Sequence, residues 1–245
     1  MPVFDQQAVA IGQDGFTPTT TQMAPLGSRA YTRDGRVFRY CQMGGVDGVA
    51  GSVYQSAAPI GAHLANTPPV LPIGTTSFLY TPGAAAGAAN LYAEGFMQVD
   101  TAPGNGYTYR VLGHGAITSS VAFTLYLDPT DPIQVALTAS SRVGLIHNPF
   151  RNVIVTPTTQ TATVVGVCPC VIPTTQYGWL QVWGPASVLV NGTPAITAPV
   201  VNSATTIGGV DGWVTAAAAV GVQPIGHMMQ VGVSGKNNFV FLEIS

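Results

Sequence analysis

The side chains best equipped for chemistry are few in this 245-residue chain. Cys168 and Cys170 flank a proline, and Cys41 stands alone. A Cys-x-Cys pair is too close for an ordinary disulfide, so its chemical reading is half of a metal site completed by a histidine. No second Cys-x-x-Cys or His-x-His accompanies it, and the simpler reading is two small residues on a strand edge. The histidines, His63, His114, His147 and His227, are widely separated, show no ligand spacing and are expected in loops or cores. The glutamates are Glu94 and Glu243, and nothing local pairs either with an aspartate as glycoside hydrolysis would need. Asp128 and Asp131 in Asp-Pro-Thr-Asp could offer two carboxylates to Ca²⁺, but two alone make a weak site, and a proline turn is the simpler reading. The nucleophile-elbow, zinc-protease and P-loop patterns are missing, and Gly104-Asn105-Gly106 reads as a turn. The expectation is a non-enzyme without cofactor or metal.

Positive charge is concentrated instead. Four of the seven arginines, Arg29, Arg33, Arg36 and Arg39, fall within eleven residues. They surround Asp34-Gly35, the strongest short hairpin signal when alternating apolar residues flank it. An arginine-bearing hairpin can dock an acidic partner surface, or its charges can keep an edge from unwanted pairing. Composition sets the background. Only 7% of residues are charged and the formal net charge is −2. Counterion release from nucleic acid needs many more cations, so no nucleic-acid partner is expected. With 47% hydrophobic residues, a charged disordered chain is excluded. No 18-residue run is apolar enough to span a bilayer, the greasiest stretch being the alanine-rich 214–222. The N-terminus lacks a basic segment followed by an apolar one, so no secretory signal or membrane association is expected.

The elements positioning these residues read as strands. Val, Thr, Ile, Tyr and Phe suit a pleated surface. Glycine and proline recur too often for long helices; there are 29 and 19 of them. Alternating segments end at turn residues around 37–40, 121–127, 153–155, 178–183 and 239–244. Further turn signals are Asn191-Gly192, Asp211-Gly212 and Ser234-Gly235-Lys236-Asn237. The alanine run at 83–89 suggests a short helix or a small-residue surface. Trp179 and Trp183, four apart in one strand, are expected on one face and in the core; with Trp213 and the tyrosines they also admit a sugar-stacking surface. The expected fold class is all-β, with two β-barrel or sandwich-like units and an extended N-terminal arm. The expected boundaries are an arm at 1–26, a β-rich domain at 27–175 with a Pro/Ala/Gly loop insertion, and a small C-terminal barrel at 176–245. Residues 156–175 would link the last two.

The C-terminal segment carries a resemblance. It runs YGWLQVWGPASVLV at 177–190, then GTPA at 192–195, IGGV at 207–210, IGH at 225–227 and FVFL at 239–242. This resembles the small β-barrel capsid decoration (cement) proteins of tailed bacteriophages. LGSRA at 26–30 followed by DGRVFRY at 34–40 looks like the start of such virion proteins, and the middle of the chain matches no such pattern. The resemblance implies a structural virion protein on the capsid exterior, bound to the major capsid protein and self-associated as a homotrimer. The residues expected at the capsid contact are Arg29, Arg33, Arg36, Arg39, Phe4 and Phe16. A tail or head-fibre component and a carbohydrate-binding adhesin are the alternatives.

Overall fold

The computed structural model describes residues 14–213 and 223–244. Phe4 and the apolar stretch 214–222 lie outside them. The chain divides into two compact units, one formed by Met1–Ala58 with Pro149–Ser245 and the other by Pro59–Asn148 between those halves. Chain order gives β1 (Arg29–Tyr31), β2 (Val37–Gln42) and β3 (Val53–Gln55) before the inserted unit. The inserted unit holds β4 (Ser77–Tyr80), β5 (Phe96–Thr101), β6 (Thr108–His114), β7 (Phe123–Leu127) and β8 (Arg142–Ile146). The first unit resumes with β9 (Ile154–Val155), β10 (Val164–Val167), β11 (Tyr177–Val190) and β12 (Pro199–Asn202). It ends with β13 (Val210–Gly212), β14 (Pro224–Met228) and β15 (Lys236–Glu243). The protein is nearly all β, as the residue types predict.

The inserted unit is a five-stranded antiparallel barrel in the order β4-β7-β6-β5-β8. Period two shows directly in β4, where Phe78 and Tyr80 are buried while Leu79 is exposed. Tyr80, Met97, Tyr109, Leu125, Ile133 and Leu145 fill its core. The first unit is a ten-stranded sheet built around β11. This 14-residue strand pairs with β2 over Tyr177–Trp183 and with β15 over Trp183–Val190. It also pairs with β10 through Gln181 and, in parallel, with β13 through Val190. Val188, Val190, Ile225, Val240 and Leu242 line one cluster, and Phe38, Tyr40 and Trp179 another. Each fully buried aliphatic or Phe side chain contributes roughly 1.5–3 kcal/mol.

Several sequence expectations are corrected. The domain division is not at 175/176, because β11 and β15 share one sheet with β2, β3 and β10. Residues 156–175 are no linker, since β10 lies wholly buried inside that sheet. Gly184-Pro185 does not end a strand; β11 runs through it with Gly184 at φ +86°, a left-handed conformation open to glycine. Asp211-Gly212 is not a turn but part of β13, paired with Val200 and Val201. The run 83–89 forms no helix and bridges Ile117 through Gly87 instead.

The described part of the arm belongs to its own sheet. Thr19 exchanges two backbone hydrogen bonds with Tyr177, at 2.9 and 2.8 Å. The Met23 N–H donates to the Tyr40 hydroxyl at 2.9 Å, and Leu26 is buried against Phe38, Tyr40 and Trp179. Residues 14–26 are therefore held by backbone pairing and apolar burial, which the glutamine- and threonine-rich composition did not suggest.

Candidate docking surface

The hairpin forms where Asp34-Gly35 predicts it. Arg29, Ala30 and Tyr31 of β1 pair with Arg39, Phe38 and Val37 of β2, and Gly35 takes the turn at φ +85°. The two faces differ sharply. Ala30 and Phe38 point inward with no exposure, while Arg29 and Tyr31 are exposed.

The four arginines meet different fates. Arg36 is held by Asp34: its Nε donates to Oδ2 at 2.9 Å and its terminal nitrogen lies 2.9 Å from the same oxygen. The bonds from Arg36, and then from Thr32, hold the Asp34 carboxyl down at about 2. The Arg36 guanidinium also sits 5.9 Å from the Phe38 ring centroid. Arg39 donates to the Gly27 carbonyl at 2.8 Å and lies over Phe150 at 5.7 Å. Its guanidinium loses protons more readily than usual, chiefly through burial and then through Arg29 beside it. Arg29 stands directly opposite Arg39 in the ladder. Arg33 is exposed at the turn.

Two clefts collect these residues. One, of about 180 Å³, is lined by Arg29, Tyr31, Val37, Arg39, Val182, Trp183 and Ile244. The other, of about 260 Å³, gathers Phe16, Arg36, Gln181, Pro185, Ser187 and Phe239 among others. The structure thus joins Arg29 to Arg39, and Arg36 to Phe16, and places Arg33 in neither cleft. Phe4 is outside the described residues.

Trp179 and Trp183 do not share a fate. Trp179 is buried at 1% exposure and Trp183 is 45% exposed. The register of β11 against β2 shifts between Gln181 and Trp183, and that irregularity breaks the two-residue period. Trp183 instead meets Phe241 edge-on, with ring centroids 5.6 Å apart. Trp213 is 40% exposed.

The groups considered for chemistry are engaged structurally. Three of the four histidines gather around Tyr92 in the barrel unit, a convergence their spacing conceals. The Tyr92 N–H donates to His114 Nε2 at 3.0 Å, so Nδ1 carries the proton and donates to the Gly115 carbonyl at 2.6 Å. His63 Nε2 faces the Ala85 carbonyl at 3.1 Å, which leaves Nδ1 to accept from the Tyr92 hydroxyl at 2.5 Å. His147 stacks on the Tyr92 ring at 4.8 Å. Both nitrogens of His63 and of His114 are therefore committed, and neither ring is open to a ligand. Among the described residues, no group of three or more His, Cys, Asp or Glu is arranged to hold a metal ion.

The cysteines are free thiols, Cys41 and Cys168 buried and Cys170 half-buried. Burial pushes Cys168 up to about 12 and Cys170 up to about 11, and raises Cys41 strongly. Such thiols are poor nucleophiles at neutral pH. Asp128 accepts from the Thr130 N–H and hydroxyl at 2.9 and 2.7 Å, and Asp131 from the Arg110 N–H at 3.0 Å. Both carboxylates are thus engaged by the chain itself. Glu243 lies 3.3 Å from His227 Nδ1 on the surface. No helix among the described residues is long and apolar enough to cross a membrane. Set against known protein families, characterised proteins and solved structures, the chain matches none.

Proposed function

We propose that this chain is a structural virion protein that binds the outer surface of a phage capsid and stabilises the shell by bridging capsid subunits. The observation that carries the reading is the hairpin. An exposed edge strand presents Arg29 beside Arg39 and an exposed tryptophan, in a chain otherwise poor in charge. Such a surface suits docking to an acidic partner. The resemblance of 177–190 and the segments after it to cement proteins supports the same reading. The partner is the major capsid protein, and the chain assembles on it as a homotrimer. Stabilisation is mass action: a ligand that binds only the assembled shell at 100 times its Kd adds about 2.7 kcal/mol.

Quantitative mass spectrometry of purified virions tests this. About one copy per capsid subunit, or about one third, is the expected result for a lattice-wide protein. A handful of copies per particle overturns shell decoration in favour of the tail or a head fibre. Complete absence removes the virion reading.

A carbohydrate-binding adhesin is the second reading, favoured by the exposed Trp183 packed edge-on against Phe241, with exposed Phe239 on the same strand. Sugar stacking uses such aromatic faces. Glycan-array binding that is lost in Trp183→Ala would replace the capsid reading.

A further inference from the structure

We infer that the free edge of β1 is a binding site for an acidic, extended polypeptide segment of the partner, which pairs along that edge and sets its carboxylates beside Arg29, on the β1 side of the cleft that runs across β2 to Trp183. The assignment deepens the docking proposal and rests on it, naming the site and the chemistry of what enters.

Four observations lead to it. Arg29 and Arg39 are cross-strand partners, so two like charges face each other directly. Like charges directly opposite disfavour the pairing, and an anion beside them offsets the repulsion. Among the described residues, Arg29 makes no salt bridge and Arg39 is held only by a carbonyl and an aromatic ring. The nearby carboxylate of Asp34 is already taken by Arg36. Water solvates exposed Arg29, and a partner's carboxylate placed beside the pair would be met by two cations that no described acidic group neutralises.

The second observation is the edge. Within the described residues β1 pairs with β2 alone, so its other side is unpaired. An unpaired strand is a template for an added one, with backbone hydrogen bonds supplying affinity and alternate side chains supplying specificity. The third is the cleft wall. Tyr31 and Trp183 are 40% and 45% exposed, and Val37 and Val182 complete an apolar lining. An added strand with period two sets carboxylates on the face of Arg29 and Tyr31 and apolar side chains on the face of buried Ala30, so alternating acidic and apolar residues fit this edge.

The fourth observation concerns selectivity within the hairpin. Arg33 lies outside the cleft and Arg36 is neutralised by Asp34. Of the four arginines, Arg29 and Arg39 alone line this cleft. Arg39 also supports Gly27 and Phe150 in its own unit, so Arg29 is the residue to probe.

The experiment titrates the full chain with a blocked peptide of about six residues alternating valine and glutamate, long enough to pair along β1. Its controls are the valine–glutamine counterpart, a backbone N-methylated version and free N-acetylneuraminic acid. NMR or calorimetry reads binding at low and at raised salt. The expected result is saturable binding of the acidic peptide that weakens with salt. Arg29→Gln should weaken it about tenfold, the loss of one charge-assisted contact of about 1.4 kcal/mol. Arg33→Gln should leave it unchanged, and N-methylation should abolish it. No saturable binding, or binding indifferent to Arg29→Gln, overturns the site. Binding retained after N-methylation overturns strand addition. Arg29-dependent binding of the sugar acid but not of the peptide transfers the site to the adhesin reading. The two proposals fail separately. Peptide binding by a chain absent from virions removes the capsid and keeps the cleft. A shell-bound chain whose Arg29→Gln variant binds shells as tightly as wild type removes the cleft and keeps the capsid.

Discussion

The β1–β2 hairpin and the Tyr92 cluster treat their basic side chains in opposite ways. In the barrel unit, His63 and His114 turn every ring nitrogen toward a group of the same unit, and both are buried. In the hairpin, Arg29 is left exposed opposite another arginine. Buried polar groups must find partners, because an unsatisfied one costs about 1–3 kcal/mol. An exposed cation carries no such obligation, since water solvates it. The difference separates residues that hold the fold from residues open to something else. Histidine is the side chain most often recruited for proton transfer, yet His63 and His114 belong to the first class and Arg29 to the second.

That contrast is broken most directly at its buried end. His114→Ala removes the acceptor of the Tyr92 N–H, a donor to Gly115 and the ring packed against Phe123 at 5.2 Å. The expected loss is about 3–5 kcal/mol, read as a lowered melting transition of the barrel unit. Arg29→Ala in a parallel sample should shift stability by no more than about 0.5 kcal/mol. Equal effects from the two variants would abolish the distinction between the two regions. Tyr92→Phe is gentler. It keeps the ring stacked on His147 and removes only the hydroxyl that His63 Nδ1 accepts from. A loss of about 1–3 kcal/mol in chemical denaturation is expected. A neutral outcome would mean that the His63 contact contributes nothing net.

What the sequence reveals and what it hides follow from range. The hairpin is legible because Asp34-Gly35 is a local signal, and the flanking alternation of Val37 to Tyr40 specifies its faces. The final strand is legible for the same reason, with the turn at Gly235 before it. The insertion of residues 59–148 is not, because nothing near 58 or 148 records that β2 and β3 pair with β10 and β11 across it. The histidine cluster is hidden likewise: its members come from positions 63, 92, 114 and 147, brought together only in the folded unit. Trp183 leaves the core, against the two-residue period, because a single register shift in β11 reverses the alternation after Gln181. Asp211-Gly212 misleads because Asp211 accepts from the Asn191 amide at 2.7 Å and the Ser203 hydroxyl at 3.0 Å, which anchors it in a strand. Of the candidate site, the arginines are visible as a group, but the separation of Arg36 from Arg29 and Arg39 depends on side-chain partners.

The smallest predicted effect sharpens the comparison within the hairpin itself. Asp34 joins Arg36 and Thr32 at the surface, so Asp34→Asn should cost less than about 1 kcal/mol after solvent screening. Its pH dependence is more telling than its size. The folded carboxyl is lowered from 3.8 to about 2, so the native state favours the charged form. The stabilisation is therefore fully present above about pH 4 and lost as the pH falls through about 2. Melting temperatures of wild type and Asp34→Asn should differ at pH 6 and converge near pH 2. A difference that persists at pH 2 would mean that the aspartate acts through the shape of its turn. In the same variant Arg36 is released from its carboxylate. Binding of the acidic peptide should then rise if Arg36 can reach the β1 cleft, and stay constant if, as the two clefts indicate, Arg36 faces the cavity shared with Phe16 and Phe239. Constancy is the expected result, because it is the side-chain partners, more than proximity in the sequence, that divide these four arginines.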